Sequence, residues 1–379
     1  MSNAISRRAV LTYGVTGAIA LACRWRDAAA ATTWKGYDAA IVIDGLGGPG
    51  SQSADPNAPY TAAQMKDVRD SGLTCAHTTV GVVGSMPPAP AYVEVVRSIL
   101  WYEREIANNP DTLMRVRTVA DIAQAKRSSR TGIVYGFQDG VMFETDLSRL
   151  RDFHSLGVRV IQPTYNRRNL LGDGCLEPAN AGLSKAGVEA IEQMNELGIL
   201  VDLSHCGRQT AADAIRVSKR PVAFTHTGSA AIADHPRNRT DEELRAVADK
   251  GGVSGIYFMP YLCEGRQPTS ADIIRHLEHM IDVAGEDHIS IGTDGNISAE
   301  VLDQAFKDAF AKNTSERKAA GIAAPGETED GYLFASDLNM PRRFEVLAGM
   351  LIERGHSAKR IEKILGGNLM RVFGETWKA

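Results

Sequence analysis

The chain has 379 residues, of which 44% are hydrophobic and 23% are charged, and its formal net charge at pH 7 is −4. This profile is typical of a soluble globular protein with one large domain or two ordinary ones. The acidic balance argues against a nucleic-acid-binding protein, which requires a basic face. Five cysteines are present without a C-x-x-C pair. That spacing argues against a cysteine zinc site or a redox motif, and it leaves the question of a disulfide open.

The amino-terminal residues are typical of an export signal rather than of a folded segment. Arg7 and Arg8 precede an apolar run, residues 10–23, which is too short to span a bilayer comfortably, and the alanines at 28–31 are suited to cleavage. We predict a twin-arginine signal peptide over residues 1–31, export by the Tat pathway to the periplasm, and a mature domain over residues 32–379. Contact with a membrane is expected only during export. A plain Sec signal and an uncleaved anchor are the alternatives.

From residue 35 onward, short β-rich runs alternate with helical patterns. Eight mostly apolar runs have the composition of parallel strands that are buried on both faces. They lie at residues 39–44, 73–80, 132–138, 158–165, 199–205, 222–226, 253–259 and 288–294. Amphipathic patterns between them include 186–197, 271–284 and 240–249, and the last begins with a capping box formed by Thr240 and Glu243. Eight such units predict an α/β fold, a (β/α)8 TIM barrel, with a doubly wound open sheet as the alternative.

Two long stretches, residues 47–62 and 301–338, each follow the end of a predicted strand. The first is rich in Gly, Pro and Ser, and residues 321–331 of the second are predicted to be irregular. The carboxyl ends of the strands form the face on which such barrels build their active sites, so both stretches are expected near the site. Residues 361–373 predict a closing helix near the end of the chain.

Polar residues at the ends of the predicted strands converge on one face in a closed barrel. They are His77, Gln138, Asp139, Tyr165, His205, His226 and Asp294. His205 and His226 end neighbouring strands, and two imidazoles so placed are suited to zinc or a similar divalent ion. Asp294 can be a further ligand or the general base for a bound water. Hydrogen-bonded core histidines and a loop-capping aspartate are the alternatives.

A basic residue follows the sixth predicted strand. Arg237 lies in the string His-Pro-Arg-Asn at residues 235–238, next to Asn238. A guanidinium above the barrel mouth can hold a carboxylate through two parallel hydrogen bonds. We therefore predict a carboxylate-binding residue at this position, with a surface salt bridge as the alternative.

Several strings of this sequence are similar to those of the membrane (renal) dipeptidase family. They are residues 156–159, 164–166, 182–184, 201–205, 225–226, 235–238, 292–294 and 364–373. The resemblance covers nearly all of the mature chain. It implies a barrel of the metal-dependent hydrolase type, two zinc ions, hydrolysis of dipeptides and a homodimer. It also implies that His205 and His226 hold one zinc, that Arg237 binds the substrate carboxylate, and that Asp294 is the eighth-strand aspartate of the site.

The sequence departs from the family pattern at the other ligand positions. Leu46 and Gly48 stand where the family has a His and an Asp after the first strand. Gln138 stands where it has a metal-bridging Glu, and Tyr165 replaces a further histidine. An apolar side chain and a glycine cannot ligate a cation, and a neutral amide bridges two dications poorly. We therefore expect at most one divalent ion, Zn2+, with Gln138 or His77 as additional candidate ligands.

These observations predict a metal-dependent hydrolase that cleaves a dipeptide or a similar small carboxylate-bearing amide. Asp294 would move the proton and Tyr165 would stabilise the oxyanion. Arg237, Asn238 and Gln138 would bind the substrate. The alternatives are a tailoring isomerase or lyase on the same barrel and a non-catalytic binding protein.

Overall fold

A barrel of eight parallel strands forms the centre of the molecule in the computed structural model. The strands are, in chain order, Ile43–Asp44, Cys75–Thr79, Thr131–Phe137, Val158–Ile161, Leu200–Asp202, Val222–Thr227, Val253–Ile256 and Ile289–Ile291. They are called here the first to eighth barrel strands, and each pairs with the next in parallel register. The predicted TIM barrel is confirmed, and each barrel strand falls on one of the eight predicted runs.

The structure describes residues 33–51, 58–84, 86–143 and 145–378. The predicted export signal, residues 1–31, lies outside the described residues, and the division into leader and single domain stays a prediction. Within the described part of the chain, no helix is long and apolar enough to cross a membrane. Of the five cysteines, the four that are described are all unpaired.

The barrel closes between its first and last strands. The Gly45 amide donates to the Ile291 carbonyl at 2.8 Å, and a short parallel pair joins Gly47–Gly48 to Gly295–Asn296. The carboxylate of Asp44 binds Thr293 across the same seam, at 2.8 Å to the backbone N and 2.6 Å to Oγ1. This closure brings the loop after the first strand against the loop after the eighth.

Helices surround the barrel. They are Ala62–Ser71, Pro88–Asn108, Val119–Arg127, Arg149–Ser155, Lys185–Leu197, Arg208–Val217, Asp241–Asp249, Ser270–Ala284, Gln304–Ala319, Arg343–Glu353, Ala358–Glu362 and Asn368–Thr376. Several begin at a capping box, in which a threonine and the residue three positions later satisfy each other's backbone N–H groups. The predicted box at Thr240 and Glu243 is present, and another is formed by Thr61 and Gln64.

The structure adds elements that the sequence patterns did not predict. Leu113–Val116 is a further strand that pairs with the first half of the third barrel strand, whose second half pairs with the fourth. A run of four residues is too short to carry a clear periodic signal. Helix Gln304–Ala319 occupies part of the long stretch 301–338, and residues 321–331 are irregular, as predicted.

The carboxyl-terminal segment closes the end of the barrel opposite the predicted active-site face. A π-helical turn, Lys363–Gly367, leads into helix Asn368–Thr376. Leu369, Val372 and Phe373 pack into a cluster with barrel-strand residues. The Asn368 side chain donates to the Glu286 and Ile289 carbonyls at 2.8 and 2.7 Å.

Two glycines in this segment give a matched test of that packing. At Gly366 an added Cβ would lie 2.4 Å from the Ile41 carbonyl oxygen, whereas at Gly374 the nearest atom would be 4.0 Å away. We expect Gly366→Ala to lower the free energy of unfolding by about 1–3 kcal/mol, because the backbone at Ile41 must move away from the new Cβ. Gly374→Ala, within a helix, should be neutral or stabilising by up to about 1 kcal/mol. Urea denaturation of both variants checks this, and equal stabilities would contradict the close packing.

Candidate active site

The candidate site is built on a buried carboxylate at the end of the fifth barrel strand. Asp202 Oδ1 accepts from the Ser204 backbone N at 3.1 Å, from Ser204 Oγ at 2.6 Å and from the Thr225 backbone N at 3.1 Å. Its Oδ2 accepts from Thr225 Oγ1 at 2.6 Å. A carboxylate out of contact with solvent requires such a set of donors. The ends of the fifth and sixth strands, which carry the two predicted metal-binding histidines, are thereby locked together.

This carboxylate also determines the tautomer of His226. The Thr225 hydroxyl proton is committed to Asp202, so Thr225 Oγ1 is the acceptor in its 2.8 Å contact with His226 Nδ1. The backbone N of His226 in turn donates to Ser204 Oγ at 3.1 Å. With the proton on Nδ1, the lone pair of Nε2 faces away from the strand.

His205 is oriented by an equivalent contact from another element. Its Nδ1 lies 2.6 Å from Asn166 Oδ1, an amide oxygen that accepts only, so the proton of this ring is also on Nδ1. The Asn166 amide nitrogen is held by the Ile322 carbonyl at 2.8 Å. The Tyr165 ring stacks on the His205 ring with 4.1 Å between centroids.

The rings of His205 and His226 are close together, buried and neutral. Their ring centroids are 5.0 Å apart, and each Nε2 is buried without a hydrogen-bond partner among the described residues. Burial, and after it the nearby Arg237 guanidinium, hold the pKa of both rings well below the usual histidine value. Two neutral imidazoles with free lone pairs are the donor type that a divalent transition metal such as zinc prefers.

The structure places His77 differently from this pair. Its Nδ1 lies 2.7 Å from the Gly45 carbonyl. Its Nε2 is also buried without a partner among the described residues, but it packs against the backbone of the third strand, where a Cβ on Gly136 would lie 1.9 Å away. No group of three or more His, Cys, Asp and Glu side chains suited to a metal exists among the described residues. The donor set therefore fits an ion that is anchored by two protein nitrogens and completed by ligands from outside the protein.

Arg237 lies buried beside the histidine pair. One guanidinium nitrogen, Nη1, donates to the Ser204 carbonyl, whereas Nη2 is buried without a partner among the described residues. The neighbouring Asn238 donates to the Ala233 and Tyr261 carbonyls at 2.8 and 2.9 Å, so both of its N–H groups are used inside the protein. Asn238 thereby holds the loop that presents Arg237, and its contact with substrate stays a prediction.

Arg239 is a supporting residue that sequence reasoning did not identify. Its Nη2 donates to the carbonyls of residues 203, 204 and 206 at 2.9–3.0 Å, and its Nη1 pairs with Glu243 at 3.0 Å. These bonds fix the turn that carries His205. An arginine two positions after Arg237 has no sequence feature that distinguishes such a role from an ordinary ion pair.

Asp294 is held in an unusual backbone conformation at the end of the eighth strand. Its φ is +57°, which is rare for a residue with a side chain and marks local strain. Its backbone N donates to the Leu46 carbonyl at 2.7 Å. Burial raises the pKa of its carboxyl to about 7, although Arg237 and Arg317 act in the opposite direction. A carboxyl with this pKa can take up and release a proton near neutral pH.

A cavity of about 240 Å³ opens next to Asp294 and is also lined by Leu46, Gly48 and Gln138. The Gln138 amide nitrogen donates to Thr79 Oγ1 at 2.8 Å. A Cβ at position 48 would lie 2.9 Å from Thr78 Oγ1, which is itself bonded to the Gly47 carbonyl. Thr78 therefore occupies the space that an Asp side chain at position 48 would need. Asp139, one of the polar residues at the predicted strand ends, does not line this cavity and accepts from the backbone N–H groups of Gly84 and Gly140.

A second guanidinium covers the barrel mouth. Arg317, from helix Gln304–Ala319, donates to the Tyr165 hydroxyl at 3.3 Å and forms an ion pair with Glu327 at 2.8 Å. Glu327 also accepts from the Tyr261 hydroxyl at 2.8 Å. Burial is the largest influence on the pKa of Tyr165 and raises it, so the phenol is a neutral donor. The sequence placed this stretch near the site but gave no sign of Arg317 or Glu327.

The comparisons with known proteins agree with this arrangement. The family described as membrane dipeptidase, or peptidase family M19, matches residues 55–309. This chain belongs to the membrane dipeptidase family. The family resemblance inferred from the sequence is therefore confirmed, and the family is one of hydrolases. Members of the family are metallopeptidases.

The relatives differ in the share of their own length that this chain matches. A solved amidohydrolase from Pseudomonas aeruginosa is 33% identical, with a TM-score of 0.76, over 90% of this chain and 98% of that one. Dipeptidase VerJ of Clonostachys rogersoniana is 29% identical over 69% of this chain and 60% of its own length. An uncharacterised dipeptidase of Schizosaccharomyces pombe is 35% identical over 46% of this chain and 43% of its own. The chain thus spans less than two thirds of these two dipeptidases.

Asp202→Asn tests the tautomer that the buried carboxylate imposes. The amide oxygen must face the two backbone N–H groups at Oδ1, so the new NH2 group would face Thr225 Oγ1. Thr225 would then donate to His226 Nδ1, which would move the ring proton to Nε2. We expect nitrogen NMR of the metal-free variant to show this change, and the free energy of unfolding to fall by about 2 kcal/mol or more. The exposed carboxylate Asp282 provides the control, Asp282→Asn; a proton retained on His226 Nδ1 in Asp202→Asn would contradict the assignment.

Proposed function

We propose that this chain is a metal-dependent hydrolase that cleaves the amide bond of a small carboxylate-bearing compound, such as a dipeptide, with one divalent ion at most. The observation that carries the proposal is a set of three unpartnered polar atoms at one buried place: Nε2 of His205, Nε2 of His226 and Nη2 of Arg237. Buried polar atoms without partners are costly unless a ligand satisfies them. Two of these atoms suit a cation, and the third suits an anion.

His205 and His226 would hold the ion, and we propose Zn2+. When bound, the ion would supply Lewis-acid polarisation of the carbonyl and a more acidic water. Family members supply further ligands at positions that are Leu46, Gly48 and Gln138 here, and none of these three can replace an anionic or imidazole ligand. This difference is the support for one ion rather than two.

The other residues have roles that follow from their contacts. Arg237 would bind the substrate carboxylate with Nη2, while its bond to the Ser204 carbonyl keeps the guanidinium in place. Asp294 would accept a proton from water and pass it to the leaving nitrogen. Tyr165, a neutral phenol held by Arg317, would donate to the oxygen that gains negative charge. Gln138 would contact the substrate through the cavity that it shares with Asp294.

We also propose that the protein acts in the periplasm after Tat export, because of the twin arginines and apolar run at its start. A small carboxylate-bearing substrate fits a mouth that contains two guanidinium groups. A homodimer stays an expectation from the family. Detection of the mature chain in a periplasmic fraction, lost when Arg7 and Arg8 are both replaced by Lys, is the observation that would support export.

Metal analysis of the purified mature chain tests the site. We expect about one zinc per chain after dialysis, and its loss in His205→Ala or His226→Ala, because one imidazole is a weak anchor. His154→Ala is the matched control, since its Nε2 is also buried and unpartnered but lies on an outer helix. Two ions per chain, or none, would contradict the proposal. Metal without turnover on a panel of dipeptides and other small carboxylate-bearing amides would instead favour a tailoring enzyme.

The proton-transfer role of Asp294 predicts a pH dependence. Its pKa is raised to about 7, so the carboxylate that acts as the base is lost as the pH falls through that value. We expect kcat/KM to rise with pH with a midpoint near 7, and Asp294→Asn to lower kcat by roughly 100-fold or more. Asp282→Asn should leave both quantities unchanged. A midpoint near pH 4, or full activity in Asp294→Asn, would remove Asp294 from the mechanism.

A further inference from the structure

Two adjoining cavities lie beside the barrel mouth. The smaller is the cavity of about 240 Å³ that contains Gln138 and Asp294. The larger, of about 780 Å³, is called here the side cleft. The two cavities share four lining residues: Pro49, Thr79, Tyr102 and Asn296. The side cleft therefore continues the site outward from Asp294.

The barrel order places the side cleft opposite the carboxylate-binding arginine. The smaller cavity lies over the ends of the first, second, third and eighth strands, which carry Leu46, Thr79, Gln138 and Asp294. Arg237 lies over the fifth to seventh strands, where it bonds to the Ser204 carbonyl. A substrate whose carboxylate is on Arg237 and whose amide is at the histidine pair must therefore extend its acyl part toward the side cleft.

Aromatic rings form one wall of the side cleft. Trp101 meets Tyr60 edge to face with 5.0 Å between ring centroids, and it meets Tyr102 in the same manner at 4.9 Å. The hydroxyl groups of Tyr60 and Tyr102 bond to each other. Their polar ends are thus satisfied, and the surface left for a ligand is ring surface, which packs well against another aromatic ring.

Among the described residues that line the side cleft, the polar groups are neutral or already paired. The charged residues that line it, Glu94 and Arg97, form an ion pair with each other at 2.5 Å. Asn296, Asn313 and Ser98 add neutral polar side chains to the lining. A free ammonium group entering here would meet Leu46, Gly48 and Gln138, and the one carboxyl group among the described residues that line the smaller cavity is Asp294, the proposed base. A neutral acyl group with a ring and a hydrogen-bonding carbonyl fits this lining better than a charged amino terminus.

We propose that the side cleft is a subsite for the acyl group, and that the substrate is an N-acylated amino acid whose acyl group carries a neutral aromatic ring. This inference rests on the proposed hydrolytic function and extends it from a dipeptide to a blocked amino acid. Hydrolysis consumes one water: the carbonyl carbon gains the water oxygen as the C–N bond breaks, and the leaving nitrogen takes up the proton. The products are an aromatic carboxylic acid and a free amino acid.

Three ligands with the same glycine carboxylate test the subsite: N-benzoylglycine, N-acetylglycine and glycylglycine. Their Kd values for the zinc-loaded mature chain are measured by calorimetry, and hydrolysis is followed by chromatography of the products. We expect N-benzoylglycine to bind roughly 2- to 10-fold more tightly than N-acetylglycine, because edge-to-face contacts with the cleft rings add to its affinity. N-benzoylglycine should also be hydrolysed with the higher kcat/KM.

A matched pair of variants on helix Pro88–Asn108 locates the preference. Ser98→Trp fills the side cleft and should bring the ratio of the two Kd values close to one. Leu100→Trp adds the same side chain at an exposed position of the same helix and should leave the ratio unchanged. Trp101→Leu should lower the ratio without filling the cleft, and thermal unfolding confirms that each variant is folded.

The outcomes distinguish a failure of the subsite proposal from a failure of the proposed function. Equal affinities in the unmodified chain, or a preference that survives in folded Ser98→Trp, would overturn the subsite whatever the catalytic result. Arg237→Lys should weaken all three ligands by roughly 10-fold or more, because a single ammonium group cannot keep the bond to the Ser204 carbonyl and also place a donor at the Nη2 position. Unchanged affinities in Arg237→Lys, with no hydrolysis of any ligand, would overturn the proposed function while the Kd ratio still reports on the cleft.

Discussion

The buried carboxylate of Asp202 is the interaction on which the site depends. It accepts four hydrogen bonds from Ser204 and Thr225, and these bonds bring the ends of the fifth and sixth strands into a fixed register. Thr225 then orients His226, and Arg239 binds the turn on which His205 sits. The barrel supplies two adjacent strand ends, but this network decides that two imidazole nitrogens face the same space with their lone pairs free. The proposed metal site would need such orientation, because it has no third protein ligand to correct a misplaced ring.

The charge distribution of the mouth follows from burial. The two buried histidines next to Arg237 are neutral, and partial burial raises the pKa of Asp294 to about 7. The guanidinium groups keep their charge, and one nitrogen of Arg237 has no partner among the described residues. The mouth therefore favours an anionic ligand before any cation binds. This preference explains how a carboxylate can be positioned by the protein itself, independently of a metal.

The fold was predictable because parallel strands buried on both faces leave continuous apolar runs, and all eight runs became barrel strands. Residues at strand ends, such as His205 and His226, could also be found, since the barrel alone brings them together. The contacts of Asn238, Arg239 and Arg317 could not, because they depend on loop paths that no periodic pattern encodes. Asn238 is the clearest example: its position next to Arg237 suggested a ligand contact, yet its two N–H groups bind the Ala233 and Tyr261 carbonyls.

The departures from the family pattern form one packed unit rather than separate losses. Thr78 fills the space beside Gly48 and bonds to the Gly47 carbonyl, while Gln138 is bonded to Thr79 on the same strand as Thr78. An Asp at position 48 would therefore meet a threonine that is itself held in place. Restoring a single family ligand would disturb its neighbours without completing a second metal site. Neutral side chains occupy the ends of the first three strands, and the cavity beside them adjoins the side cleft. A change of substrate accounts for this packing better than the gradual decay of a dipeptidase, because decay gives no reason for Gln138 to be bonded to Thr79 and for Thr78 to be held by a bond beside Gly48.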